Sequence, residues 1–194
     1  TIDASDAGTA IFNHDVKVSD NGKFVAGTGD DLQIYHDSAN SYINNNTGEL
    51  CIGSDTIRLR SYDGNHDYVK GFVDGAVELY HDNVKTFQTD GNGIAVYGPE
   101  GGSANIYLYA DEGDDNADRF QFTVNEGGPL LIQNRASGGV ETNIKCYGNG
   151  AVELYYDNTK RFETTSTGAT VSGNQTLTQS GSTTAFLKLH NGDD

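Results

Sequence analysis

Apolar and polar residues alternate with a period of two along much of this chain. Leu32-Gln33-Ile34, Ile57-Arg58-Leu59-Arg60, Val77-Glu78-Leu79 and Phe120-Gln121-Phe122 each send successive side chains to opposite faces of an extended segment. Thr, Val, Ile, Tyr and Phe fill these runs, while Asn, Asp and Gly interrupt them roughly every 8 to 12 residues. No run carries apolar residues at helical spacing. The pattern predicts an all-β protein of short antiparallel strands and hairpins with little helix.

The strands recur. Residues 70–98, KGFVDGAVELYHDNVKTFQTDGNGIAVYG, align without a gap on residues 145–173, KCYGNGAVELYYDNTKRFETTSTGATVSG, with 15 of 29 positions identical at an offset of 75. Weaker echoes join Leu32-Gln33-Ile34-Tyr35-His36-Asp37 to Ile106-Tyr107-Leu108-Tyr109-Ala110-Asp111, and Gly48-Glu49-Leu50-Cys51-Ile52 to Gly128-Pro129-Leu130-Leu131-Ile132. By phase, residues 1–29 are the end of a preceding unit, 30–98 and 99–173 are two units, and 174–194 are a linker and the start of a further one at Ala185-Phe186-Leu187-Lys188-Leu189-His190. That phase leads us to expect a segment of a longer protein.

Keeping apolar residues on one face fixes the register of the repeated hairpin. Leu154 must oppose Phe162, and Leu79 must oppose Phe87. We expect a three-residue loop at Asp157-Asn158-Thr159, a type I turn with a bulge, because a simple two-residue turn would oppose Leu154 to Arg161. The apolar face then carries Val77, Leu79 and Phe87 in one copy and Val152, Leu154 and Phe162 in the other. Glu153, Arg161 and Glu163 share the polar face. A lone hairpin is marginal in water, so this apolar face must meet something.

Composition sharpens that need. Only 35% of residues are hydrophobic, 25 are Gly, and 28 acidic against 12 basic residues leave a net charge of −16. Glycine raises the entropy lost on ordering, and few aliphatic residues offset it. Yet aromatics reach 10% and Pro numbers 2, which argues against disorder. Oligomerisation or stacking of repeats would supply the missing apolar area. The charge has the wrong sign for phosphate neutralisation, so no nucleic acid is expected as a partner. No stretch approaches the roughly 18 to 20 apolar residues of a membrane helix, so no membrane insertion is expected. Cys51 and Cys146 are too few for a disulfide scaffold or a four-cysteine zinc site, and we read both as free thiols, Cys51 on a strand face opposite Leu50 and Ile52.

The run GAVELYYDNTKRFETTSTGATVSGN at 150–174, with its more divergent copy GAVELYHDNVKTFQTDGNGIAVYG at 75–98, resembles repeats in tail fibres and related virion proteins of marine bacteriophages, cyanophages in particular. The resemblance implies an elongated β-rich fibre, commonly three parallel chains about one axis, in a virion appendage that supports host attachment. Expected partners are then further copies of the chain, other virion tail or capsid proteins, and a host surface glycan or protein. In such a trimer one core would serve three apolar-poor chains, and −16 per chain would lie on the solvated exterior. Two other readings stand beside it: a bacterial surface adhesin or extracellular filament repeat, and a polysaccharide-degrading tailspike.

Residues with chemical potential are few. His36 and His81 share a repeat position that Tyr156 fills in the third instance, so neither reads as a general base or an essential ligand. The acidic run 111–118 is rich enough to hold Ca²⁺ but lacks the alternating ligand pattern of a calcium loop. Glu78 and Glu153 recur on the polar face, where a repeated charge reads as surface. No nucleophile, phosphate-binding or catalytic-metal motif occurs, so no catalytic residues, metal ligands or cofactors are assigned and no enzyme is expected. The insert 61–68 combines Tyr62, His66 and Tyr68 with polar neighbours, a composition suited to contacting a receptor saccharide.

Overall fold

A computed structural model of the chain describes residues 12–176. The start of a further unit at 185–190 lies outside the described residues. The chain divides into two compact units, one ending at Ser54 and the other beginning at Asp55. Repeat phase and compact units therefore follow different boundaries.

The first unit holds one three-stranded antiparallel sheet, β1 (Lys23–Ala26), β2 (Leu32–His36) and β3 (Ser41–Asn45). Phe24, Ile34 and Ile43 stand opposite one another across it. On the other face Tyr35 stacks on Tyr42 at 4.8 Å between ring centres, with the Lys23 ammonium 4.7 Å from the Tyr35 ring. Residues 50–54 lie outside any strand, so Leu50, Cys51 and Ile52 have no sheet face. The expected strand there is corrected. A Leu-x-Ile alternation of three residues, bounded by Gly48 and Gly53, has too little apolar area and no partner to pair with.

The second unit holds two antiparallel sheets. The five-stranded one runs in chain order through β4 (Thr56–Arg60), β5 (Asp67–Phe72), β6 (Val77–His81), β7 (Val84–Asp90) and β8 (Gly93–Val96). The seven-stranded one follows as β9 (Ala104–Tyr109), β10 (Arg119–Val124), β11 (Leu130–Asn134), β12 (Glu141–Cys146), β13 (Val152–Tyr156), β14 (Thr159–Thr165) and β15 (Gly168–Val171). Two short 3₁₀ turns, Asp111–Gly113 and Asn116–Asp118, are the only helical residues among those described. The fold is all-β, as the period-two pattern predicts. Strands β6, β7 and β8 reappear as β13, β14 and β15 at the offset of 75.

The hairpin register is as the apolar pattern requires, Leu79 opposite Phe87 and Leu154 opposite Phe162. The turn that achieves it differs from expectation. His81 pairs with Val84 and Tyr156 with Thr159, so each loop has two residues. Asp82 and Asn83 have φ of 49° and 61°, and Asp157 and Asn158 have 48° and 56°, the two positive values of a type I′ turn. Asn and Asp tolerate this region, and its twist suits a hairpin. The extra residue sits inside the strand, where Thr86 and Arg161 form a bulge between paired neighbours. Their carbonyls accept from Tyr97 N and Ser172 N at 2.9 and 2.8 Å, so the bulge still bonds to the next strand. The same device recurs where Tyr68 and Asn143 bulge from β5 and β12.

Candidate functional site: the uncovered apolar face

Tracing the register across each sheet yields one continuous apolar row. In the five-stranded sheet it runs Leu59, Val69, Leu79, Phe87, Val96. In the seven-stranded sheet it runs Ile106, Phe122, Ile132, Ile144, Leu154, Phe162, Val171. Val77 and Val152 lie two residues along on the same face, as do Val124, Leu130 and Cys146. Val77, Leu79 and Phe87 therefore share the apolar face of the five-stranded sheet, and Val152, Leu154 and Phe162 that of the seven-stranded one. Between the sheets, Ile94, Val96, Ile106, Phe122, Val124 and Leu130 line an apolar cavity of about 300 Å³.

Among the described residues, much of the face is left exposed. Leu131 is the only buried large apolar residue among those described, and it lies on the opposite face. Leu79, Leu154 and Ile106 keep 40 to 44% of their surface exposed.

The polar face is the better-buried one. Gln121, Thr123, Gln133 and Glu153 are all buried. Gln121 Nε2 donates to Gln133 Oε1 at 2.8 Å and to Thr123 Oγ1 at 3.1 Å, and Thr123 donates on to Asn105 at 2.7 Å. Each hairpin builds the same ionic cluster. Tyr80 OH and Lys85 Nζ donate to Glu78 at 2.5 and 3.1 Å; Tyr155 OH and Lys160 Nζ donate to Glu153 at 2.6 and 3.0 Å. These donors hold both carboxyls below their ordinary range, the tyrosine hydroxyl most strongly and the lysine next. Lys160 also bonds Glu163. The expectation that Glu153 is a surface charge is corrected, because neighbouring Tyr and Lys side chains close over it. Each carboxylate is committed to a local tyrosine and lysine, an arrangement that locks the hairpin. The sequence signal was available: Glu-Leu-Tyr followed by Lys seven residues after the Glu occurs in both copies.

The expected receptor loop is partly brought together. Tyr62 is fully exposed in the turn between β4 and β5, and Tyr68 projects from the β5 bulge, half exposed. His66 Nε2 lies 3.5 Å from Asp82 Oδ1, tying this turn to the hairpin tip. Asn83 reinforces the tie, donating to Asn65 O at 2.5 Å and accepting from Asp67 N at 3.0 Å. Ser61 Oγ and the amides of Asn65 bond Asp63 and lower its carboxyl to about 2. In the acidic run, the carboxylates of Asp111, Asp114 and Asp118 lie within 4.8 Å of one another. Both cysteines are free thiols, Cys51 exposed and Cys146 half-buried.

Comparison with known proteins finds no matching family model, no matching curated protein and no matching solved structure.

Proposed function

We propose that the chain is a non-enzymatic structural segment of a homotrimeric fibre, a phage tail fibre or similar virion appendage that supports host attachment. The observation that carries this reading is the continuous apolar row across each sheet, much of it exposed among the described residues. Identical copies packing these faces together would supply the hydrophobic core that each chain lacks. The polar face, where Glu78 and Glu153 already bond to neighbouring tyrosines and lysines, would form the exterior and carry the −16 charge. Closure of copies around an axis would also shield strand edges that otherwise template aggregation.

Sedimentation and electron micrographs test it together. A trimer melting in one cooperative step, seen as a fibre segment, is the expected result. A stable folded monomer at micromolar concentration would refute it.

A further inference from the structure

Register places β4 where β11 stands in the second repeat. Leu59 lies opposite Val69, with Leu79 beyond, as Ile132 lies opposite Ile144, with Leu154 beyond. Their surroundings differ. β11 has β10 on its other side, and its Leu131, Gln133 and Asn134 are buried. β4 ends its sheet, and all five of its residues are exposed. The first repeat does hold a counterpart of β10, because β3 pairs with β2 as β10 pairs with β9. That strand ends a separate sheet.

Hydrogen-bond phase shows why β3 does not simply continue into β4. Val73 N donates to Asp55 O and Ser61 N to His66 O. By antiparallel alternation, Arg58 and Arg60 then turn their backbone N–H and C=O groups away from β5. Asp37 N donates to Asn40 O and Asn46 N to Asp31 O, so Ser41, Ile43 and Asn45 turn theirs away from β2. Ile43 shares the apolar face of its sheet with Phe24 and Ile34, whereas Arg58 and Arg60 alternate with Leu59 onto the polar face. Antiparallel pairing sets outward groups directly opposite, which would bring Ile43 onto the arginine face. Parallel pairing staggers them by one residue, so that Ile43 lies opposite Leu59 and bonds Arg58 O and Arg60 N. A parallel pair within one chain needs a crossover of about a dozen residues or more. Only residues 46–55 join β3 to β4. Their first two are tied back to the start of β2: Asn46 Nδ2 donates to Asp30 O at 2.8 Å and Thr47 Oγ1 to Asp31 Oδ1 at 3.0 Å.

We propose that the open edge of β4 takes β3 of a second copy, in parallel, with Ile43 opposite Leu59. The inference rests on the chain assembling with copies of itself, and adds an edge contact to the packing of faces. It carries the apolar row Phe24, Ile34, Ile43 on into Leu59 and Val69. Charge selects the occupant. Two β4 edges could pair antiparallel with faces matched, but Arg58 and Arg60 of one copy would then oppose those of the other. β3 carries no charged residue. Its Tyr42 hydroxyl donates to Asp37 Oδ2 at 2.9 Å, so a ring and a carboxylate come to the arginine face. Among the described residues Arg60 has no ion-pair partner to give up.

Cysteine cross-linking of the full chain, with Cys51→Ser and Cys146→Ser as background, tests the pairing. Asn44→Cys and Arg60→Cys are directly opposite in this register. Placed on separate chains, mixed, reassembled and oxidised, they should give a covalent dimer containing one of each. The yield should exceed by roughly tenfold that with Arg58→Cys, which an antiparallel register about the same Ile43–Leu59 pair would favour. Each reduced variant should sediment like the background chain; if Asn44→Cys does not, Ser41→Cys against Ile57→Cys gives the same reading. Equal yields with Arg58→Cys would overturn the proposal, as would a disulfide closed within one chain that carries both cysteines. Absence of the link overturns it whatever the oligomeric state, and in a chain that still sediments as a trimer the face packing survives alone. A linked dimer from a chain that forms no trimer would refute the trimer and leave this edge standing.

Discussion

Replacing Leu154 tests whether the apolar rows hold copies together. Leu154 lies between Ile144 and Phe162 and keeps 41% of its surface exposed in one chain. Complete burial of a leucine stabilises by about 1.5–3 kcal/mol, so covering that remainder contributes roughly 0.6–1.2 kcal/mol per chain. Leu154→Ala should therefore weaken a trimer by about 2–4 kcal/mol, a roughly 20- to 500-fold rise in its dissociation constant. Leu154→Asp should be worse, because each interface must also desolvate a carboxylate. Leu131 is the internal comparison: already buried on the opposite face, Leu131→Ala should lower the melting temperature without loosening the assembly more than it loosens the fold. Sedimentation equilibrium over a concentration series separates the two effects. Should Leu154→Asp sediment and melt like the parent chain, the apolar row is not an interface and the reasoning fails.

Other consequences can be checked with simple reagents. Cys146 lies in a row with Leu130 and Val152, so assembled protein should shield it from maleimide while exposed Cys51 reacts; equal rates by mass spectrometry would contradict the packing. The carboxyls of Glu78 and Glu153 are lowered in the fold from an ordinary 4.5, so their contribution is present above 4.5 and is lost as pH falls through the lowered value. Glu153→Gln should accordingly flatten the acid side of the melting profile, and an unchanged slope below 4.5 would count against the Tyr155–Glu153–Lys160 cluster. Asn158 has a φ of 56° and accepts from Thr142 N at 2.9 Å. Asn158→Ala should cost about 2–3 kcal/mol in thermal unfolding, and Asn158→Gly, which keeps the backbone freedom, about 1 kcal/mol; equal losses would refute the turn assignment.

Strand existence and pairing were legible because the side-chain period of a strand is two and an apolar face cannot be split. Leu79–Phe87 and Leu154–Phe162 followed from that rule alone. The turn was not legible by the same route. A two-residue turn and a three-residue loop both restore the pairing if a bulge is available, and bulges leave no compositional mark at Thr86 or Arg161. The Asp-Asn pair was the usable clue, since a type I′ turn needs two residues that tolerate positive φ. Burial was read least well. Alternation shows which residues share a face, not which face the chain covers by itself, and here Tyr and Lys side chains close over Glu153 while Leu154 stays open.

The two faces make opposite demands on a partner. The polar face already commits its carboxylates, where Glu78 and Glu153 accept from tyrosines and lysines in the same sheet. A partner docking there would have to repay desolvation of satisfied groups and gain few new bonds. The apolar face has no bonds to lose, and each covered Å² of it contributes about 25 cal/mol. Repetition multiplies that asymmetry, because the row in β6 to β8 recurs in β13 to β15 at fixed spacing. A partner matched to one repeat is matched to the next only if it carries the same spacing. Another copy of this chain would meet that condition without further specification, which is the physical ground for proposing self-assembly over an unrelated partner.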